Sequence, residues 1–132
     1  MKKSNKKGFT IVELVIVIAV IGILAAVLIP TFSSVVDKAN KSAAEQELKN
    51  AYTLALAEAI TDGAISTDET IYILKSGEAT KTAPAANATG NAVATWKFIF
   101  TAEDSATVER IPADTDYNYA ITDGKPVVTK NS

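Results

Sequence analysis

From Phe9 to Ile29 the chain is apolar almost without interruption, and beyond Phe32 apolar residues recur at intervals of mostly three and four. The first pattern predicts a helix that is apolar on every side, as for a helix surrounded by lipid or by other helices. Its length is about the ~20 residues that cross a bilayer core. The second pattern predicts that the helix continues as an amphipathic one. Phe32, Val36, Ala39, Ala43, Leu48, Tyr52, Ala55 and Ala59 draw one apolar stripe. Asp37, Lys38, Lys41, Glu45, Lys49 and Glu58 occupy the other face, where Lys41 and Glu45 stand four apart and can form a modest intrahelical pair. Asp62-Gly63 supplies the stop, because glycine accepts the left-handed conformation that closes many helices. Gly22 and Pro30 interrupt the pattern. Pro30 has no N–H and crowds the carbonyl of Ala26, which predicts a kink. At about 1.5 Å per residue the element reaches roughly 80 Å: a stalk with a domain laid against its upper half.

After Gly63 the period changes from helical to alternating. Thr70-Ile-Tyr-Ile-Leu-Lys75 is β-branched and apolar on both faces, which suits an inner strand. Ser76-Gly77 turns the chain, and Ala79 to Ala92 has neither periodicity nor a large apolar residue, so it is read as a loop. Trp96, Phe98 and Phe100 alternate along Ala94–Thr101 and define a half-buried strand, expected to pack on the helix around Leu48, Tyr52 and Ala55. Val108–Ile111 is a short strand before Pro112. Tyr117–Thr122 and Lys125–Lys130 form a hairpin about Asp123-Gly124, with Pro126 marking an edge strand because it cannot donate to a ladder. A long N-terminal helix followed by an antiparallel meander predicts an α+β fold.

Charge and chemistry narrow the picture. Lys2, Lys3, Lys6 and Lys7 precede the apolar run and should hold the N-terminus in the cytoplasm. An ordinary secretory signal peptide fits less well: the run is long for such a signal, Glu13 interrupts its start, and no small-x-small site follows. Four of the 13 basic residues lie in this leader, so the chain beyond it carries nine against 15 acidic ones. That sign opposes non-specific binding of nucleic acid. Cysteine and histidine are both absent. No disulfide, thiolate zinc site or thiol nucleophile is available, the usual activators of a catalytic nucleophile are missing, and no enzyme is predicted.

Glu13 is the anomaly. A carboxylate near the centre of a membrane costs roughly 2.5 to 3.5 kcal/mol on insertion scales, and less toward its edge. One reading places it harmlessly near the headgroups. Another gives it a positive partner: cleavage after Gly8 would create an α-amine of pKa about 7.7 to 8.0, four residues away, in the same chain or a neighbour, where low dielectric strengthens the attraction.

The string Lys7-Gly8-Phe9-Thr10-Ile11-Val12-Glu13-Leu14, with the apolar run to Pro30, resembles the N-terminus of type IV prepilins and pseudopilins. The likeness covers about the first quarter of the chain; the remainder resembles the family in layout only. It implies that residues 1–8 are a leader removed by a membrane prepilin peptidase between Gly8 and Phe9, and that Phe9 is then N-methylated. Residues 9–30 would form a transmembrane and filament-core helix, 31–62 an amphipathic helix, and 63–132 an antiparallel headgroup. Glu13 would pair with the Phe9 terminus of a neighbouring copy, and Gly22 and Pro30 occupy the positions between which the helix is partly unwound in assembled filaments of some relatives. Implied partners are further copies of the chain, minor pilins, the membrane and, indirectly, an assembly ATPase and a platform protein. The precursor would sit in the cytoplasmic membrane and the polymer on the cell surface. The lack of cysteine looks more like pilins of Gram-positive bacteria.

Two further patterns invite chemistry. Asp114, Asp116 and Asp123 offer oxygen ligands for calcium, although turn-forming aspartates explain them better. Neither a metal nor another cofactor is predicted. Asn87-Ala88-Thr89 is formally a glycosylation sequon. Three functions stay open: a pilus subunit, a pseudopilin of a secretion or DNA-uptake machine, and a membrane-anchored binding module that never polymerises.

Overall fold

The computed structural model describes residues 8–63, 65, 68–102 and 104–132. The four leader lysines lie outside the described residues. By internal contacts the chain divides into two units, Met1–Ala39 and Asn40–Ser132.

In the first unit the residues from Ile11 onward belong to helix α1 (Ile11–Ala59). Its large apolar side chains, from Ile11 through Ile29 to Phe32 and Val36, are all exposed within the single chain. By length and composition the helix is apolar enough to cross a membrane. Gly22 and Pro30 both lie within it. Pro30 offers no N–H to the Ala26 carbonyl. One residue on, the Thr31 hydroxyl donates to the Val27 carbonyl at 3.0 Å, and Ser34 Oγ donates to the Thr31 carbonyl at 2.9 Å.

The second unit is a six-stranded antiparallel sheet covered on one face by residues 44–59 of α1, an α+β arrangement. The strands are β1 (Glu69–Leu74), β2 (Ala79–Thr80), β3 (Ala94–Ala102), β4 (Ser105–Arg110), β5 (Tyr117–Thr122) and β6 (Lys125–Lys130), in spatial order β2-β1-β3-β4-β5-β6. β1 is therefore an inner strand and Pro126 lies on the edge strand β6, as their residue types predict. Asp123 and Gly124 both have positive φ, 51° and 69°, the conformation a two-residue hairpin turn demands.

The core is built from alternate residues of β3 and one stripe of the helix. Trp96, Phe98 and Phe100 point inward with Ile71, Ile73, Ile121 and Val128, and meet Leu48, Tyr52 and Ala55. Tyr52 stands 6.2 Å from Phe98 and 6.3 Å from Phe100 between ring centroids. Small residues at Ala44, Ala51, Ala55 and Ala59 let the helix approach these rings. After Ala59 the chain tightens into a 3₁₀ turn over Ile60–Asp62, and the Gly63 N–H, at φ 109°, donates to the Ile60 carbonyl at 2.8 Å.

The buried stripe differs from the predicted one at its start. Ala44 is buried and Ala43 exposed, because Ala43 precedes Leu48 by five residues and so lies about 140° around the helix from it. Phe32, Val36 and Ala39 are exposed; they belong to the first unit, which supplies no sheet to cover them. The predicted loop over Ala79–Ala92 holds a two-residue strand, β2, and a 3₁₀ turn at Gly90–Ala92. Its lack of periodicity hid a strand too short to alternate. β4 begins at Ser105, three residues before the expected Val108, since Ala106 faces the core across from Phe100.

Candidate assembly site at the start of the helix

Gly8, Phe9 and Thr10 precede the helix in non-helical conformation, and Thr10 acts as its N-cap. The Glu13 N–H donates to Thr10 Oγ1 at 3.2 Å, while the Thr10 N–H donates to Glu13 Oε2 at 3.2 Å. This reciprocal pair is a capping box, which satisfies two of the helix's orphan donors. It places the Glu13 carboxylate at the positive end of the helix dipole, where an anion is favoured. Phe9 projects fully into the surroundings at 90% exposure. At Gly8 an added Cβ would meet nothing within 4 Å. The fold of this chain therefore makes no steric demand for glycine there.

The structure thus brings Thr10 and Glu13 together with Phe9 just ahead of them. Gly22 and Pro30 stand one and two dozen ångströms or so further along, at about 1.5 Å per residue, with no side chain packed on Gly22. Thr10 is the capping residue of this candidate site that the reading of the sequence missed. A threonine three residues before a glutamate, ahead of an apolar run, is the sequence signature of a capping box.

A second polar cluster lies in the second unit. Glu47 on α1 accepts from Arg110 of β4, Nη1 to Oε2, at 2.8 Å. The guanidinium lies 4.8 Å from the centroid of the Trp96 ring, a cation–π arrangement. Trp96 in turn meets Tyr119 edge-on at 4.9 Å. Burial works against the charge on Arg110, but the Glu47 carboxylate outweighs it and raises the guanidinium pKa. Tyr119 donates its hydroxyl to Asp114 Oδ2. Asp114 Oδ1 also accepts the backbone N–H groups of Asp116 at 2.8 Å and Tyr117 at 3.2 Å. The bond from Tyr119, with those backbone donors, holds the Asp114 carboxyl below the usual carboxylate range. Burial and then the Asp114 bond push the Tyr119 phenol well above its ordinary value.

Asp114 is therefore a turn-forming residue. Asp123 belongs to the β5–β6 turn. Among the described residues no three His, Cys, Asp or Glu side chains converge on a possible metal position. Asn87 is exposed on the loop between β2 and β3.

Comparison with known proteins bears on the first of the two clusters. Residues 3–29 match the prokaryotic N-terminal methylation motif. The chain is 46% identical over 62 residues to the type IV major fimbrial protein FimA of Dichelobacter nodosus, covering 47% of this chain and 38% of that protein. It is 49% identical over 49 residues to the type IV major pilin protein PilA of Myxococcus xanthus, covering 37% and 22%. It is 43% identical over 56 residues to the type IV narrow pilus major component PilA5 of Thermus thermophilus, covering 40% and 48%. The matched segments span less than half the length of each of these relatives. No solved structure matches the chain significantly.

Proposed function

We propose that this chain is the structural subunit of a type IV pilus, made as a membrane-anchored precursor and polymerised through its N-terminal helix. The observation that carries the reading is the Phe9–Glu13 arrangement at the head of an exposed apolar helix, inside a segment that matches the N-terminal methylation motif. The relatives bearing pilin and fimbrial names support the pilus in particular. No observation favours a pseudopilin or a surface module that does not polymerise.

In this scheme the peptide bond between Gly8 and Phe9 is hydrolysed by a prepilin peptidase. Glycine at position 8 serves that enzyme, since the fold itself has no need of it. The new Phe9 amine is methylated and remains cationic near neutral pH. Glu13 then exchanges its bond from the Thr10 N–H for an ion pair with the Phe9 amine of a neighbouring copy, in surroundings of low dielectric where such a pair is strong. The apolar sides of neighbouring helices cover one another, and the stretch between Gly22 and Pro30 is where the helix yields in the polymer. Minor pilins, an assembly ATPase and a platform protein complete the machine. The chain acts by assembly and not by catalysis. A Gram-positive source rests on the lack of cysteine alone.

Two measurements test this. The intact mass of the extracellular protein should begin at methylated Phe9; a chain starting at Met1 overturns the scheme. Glu13→Ala should leave cleavage largely intact and abolish filaments under electron microscopy, and normal filaments from that variant would sink the assigned role of Glu13.

A further inference from the structure

The ladder between β4 and β5 is short. Only Ala106–Ile121 and Thr107–Ala120 pair across it, whereas β3–β4 and β5–β6 pair along nearly their whole lengths. Beyond Thr107 the two strands part, and residues 111–116 cross between their ends. A recess opens there, lined by Asn40 and Glu47 of α1, Arg110 of β4, Asp114 of the crossing segment, and Tyr117 and Tyr119 of β5.

Its chemistry is unusual for this chain in being polar, aromatic and internally balanced. The guanidinium of Arg110 is fixed from one side by the Trp96 ring and from another by Glu47. Asp114 is fixed by three donors. Each fixed charge thus already has its partner, so the recess has no strong call on an ion of either sign. Donors remain nonetheless. Asn40, which is exposed, and Tyr117, which is partly so, both line the recess and bring an amide and a hydroxyl to it, and a guanidinium carries five N–H groups, of which a carboxylate engages one or two. Acceptor capacity remains on Glu47, whose side chain is half exposed. A ligand that fits must be neutral, must both donate and accept hydrogen bonds at several points, and must present a flat apolar edge to tyrosine rings. Those are the properties of a sugar ring, with equatorial hydroxyls around a C–H face. We propose that this recess binds a neutral saccharide residue, with Tyr117 as the stacking ring and Asn40, Glu47 and Arg110 as the hydrogen-bonding groups. This goes beyond the filament role and does not depend on it.

The test uses the full chain, isotopically labelled, in a zwitterionic detergent without sugar headgroups. Glucose, galactose and N-acetylglucosamine are titrated separately while the Trp96 indole N–H and the tyrosine ring signals are followed by NMR. For at least one sugar the expected result is saturable movement of the Trp96 and Tyr119 signals at millimolar concentration, as befits a recess whose acceptor Glu47 stays about half exposed. Tyr117→Ala should weaken that binding about tenfold or more, which corresponds to about 1.4 kcal/mol. Because Tyr117 also packs against the core, Asn40→Ala provides the second variant: it is exposed and should weaken binding several-fold with the protein signals otherwise unchanged. Lys75→Ala, remote from the recess, should bind as the parent does. No movement with any of the three sugars overturns the proposal. So does movement that persists undiminished in both Tyr117→Ala and Asn40→Ala.

Discussion

Along residues 11–36 the Ile, Val and Leu side chains stand exposed on every side of the helix, whereas along residues 44–59 the apolar positions recur every three or four residues and disappear beneath the sheet. The amino-acid types overlap, and the helix is the same element. What differs is the solvent each part is written for. The second unit buries its apolar stripe against Phe98, Phe100 and Trp96 and presents Lys41, Glu45 and Lys49 to water. The first has no polar face to offer, and its stability in an aqueous chain would come from nothing inside that chain. Its surroundings must be supplied by a membrane or by other helices.

The sharpest way to break that contrast is to delete core volume in each region. Phe98 is fully buried, so Phe98→Ala should destabilise the second unit by about 3 to 5 kcal/mol. Val17→Ala, at an exposed position of the first unit, should leave the unfolding midpoint unchanged. Both are read from denaturant unfolding of the full chain in detergent, followed by the fluorescence of Trp96. Equal shifts from the two variants would erase the distinction. A smaller effect is expected at the β5–β6 turn. Gly124 has φ 69°, a conformation that costs a residue with a side chain about 1 to 2 kcal/mol and a β-branched one most. Gly124→Val should lower stability by about that amount, although open space surrounds the glycine.

How much of this was legible beforehand follows from the range of each interaction. The α+β order, the apolar span, the β3 face and the Asp123-Gly124 hairpin depend on residues a few positions apart, and periodicity reports them directly. The short β2 strand, the place where the buried stripe begins, and the Glu47–Arg110–Trp96–Tyr119–Asp114 cluster depend on which strands become neighbours. Arg110 is the only arginine and Trp96 the only tryptophan in the chain, but their stacking follows from the pairing Trp96↔Arg110 across β3 and β4. Nothing in the local pattern encodes that register. The capping box at Thr10 and Glu13 is different: its spacing was in plain view. The oddity of an acid in an apolar run drew the reading toward a distant partner and away from the near one.

Titration offers a finer test within the second unit, where an acid and a phenol are held at opposite ends of the pH range. Asp114 has a lowered pKa in the folded chain because its charged form is hydrogen-bonded. Such a group adds stability that is complete above the unfolded carboxylate range, about 3.9, and lost as pH falls through the folded value. Asp114→Asn still accepts the N–H groups of Asp116 and Tyr117 but carries no charge, so the decline in stability on acidification should flatten. Tyr119 works at the opposite end. Its raised pKa gives stability that is complete below the unfolded phenol value of about 10 and lost as pH rises above it. Tyr119→Phe should remove its share of the alkaline decline, while Tyr52, raised by burial and then by Asp104, retains its own. Unfolding midpoints measured from acid to alkaline pH check both signs.

The smallest effect concerns what fastens helix residues 44–59 to the sheet. If burial does the fastening, the ion pair across that boundary between Glu47 and Arg110 at 2.8 Å should matter little. Its partners are about half and a quarter exposed, and solvent-exposed pairs contribute about 0.2 to 1 kcal/mol. A double-mutant cycle with Glu47→Gln and Arg110→Met should therefore return a coupling in that range, well below the cost of Phe98→Ala. Arg110→Lys separates charge from stacking. It keeps the positive charge opposite Glu47 but loses the planar group that lies over Trp96. A loss in Arg110→Lys larger than that in Glu47→Gln would show that the Trp96 contact, and not the ion pair, is the main contribution of Arg110. A coupling energy rivalling the core deletion would instead make charge the fastener, and the contrast between the two regions would have to be redrawn around it.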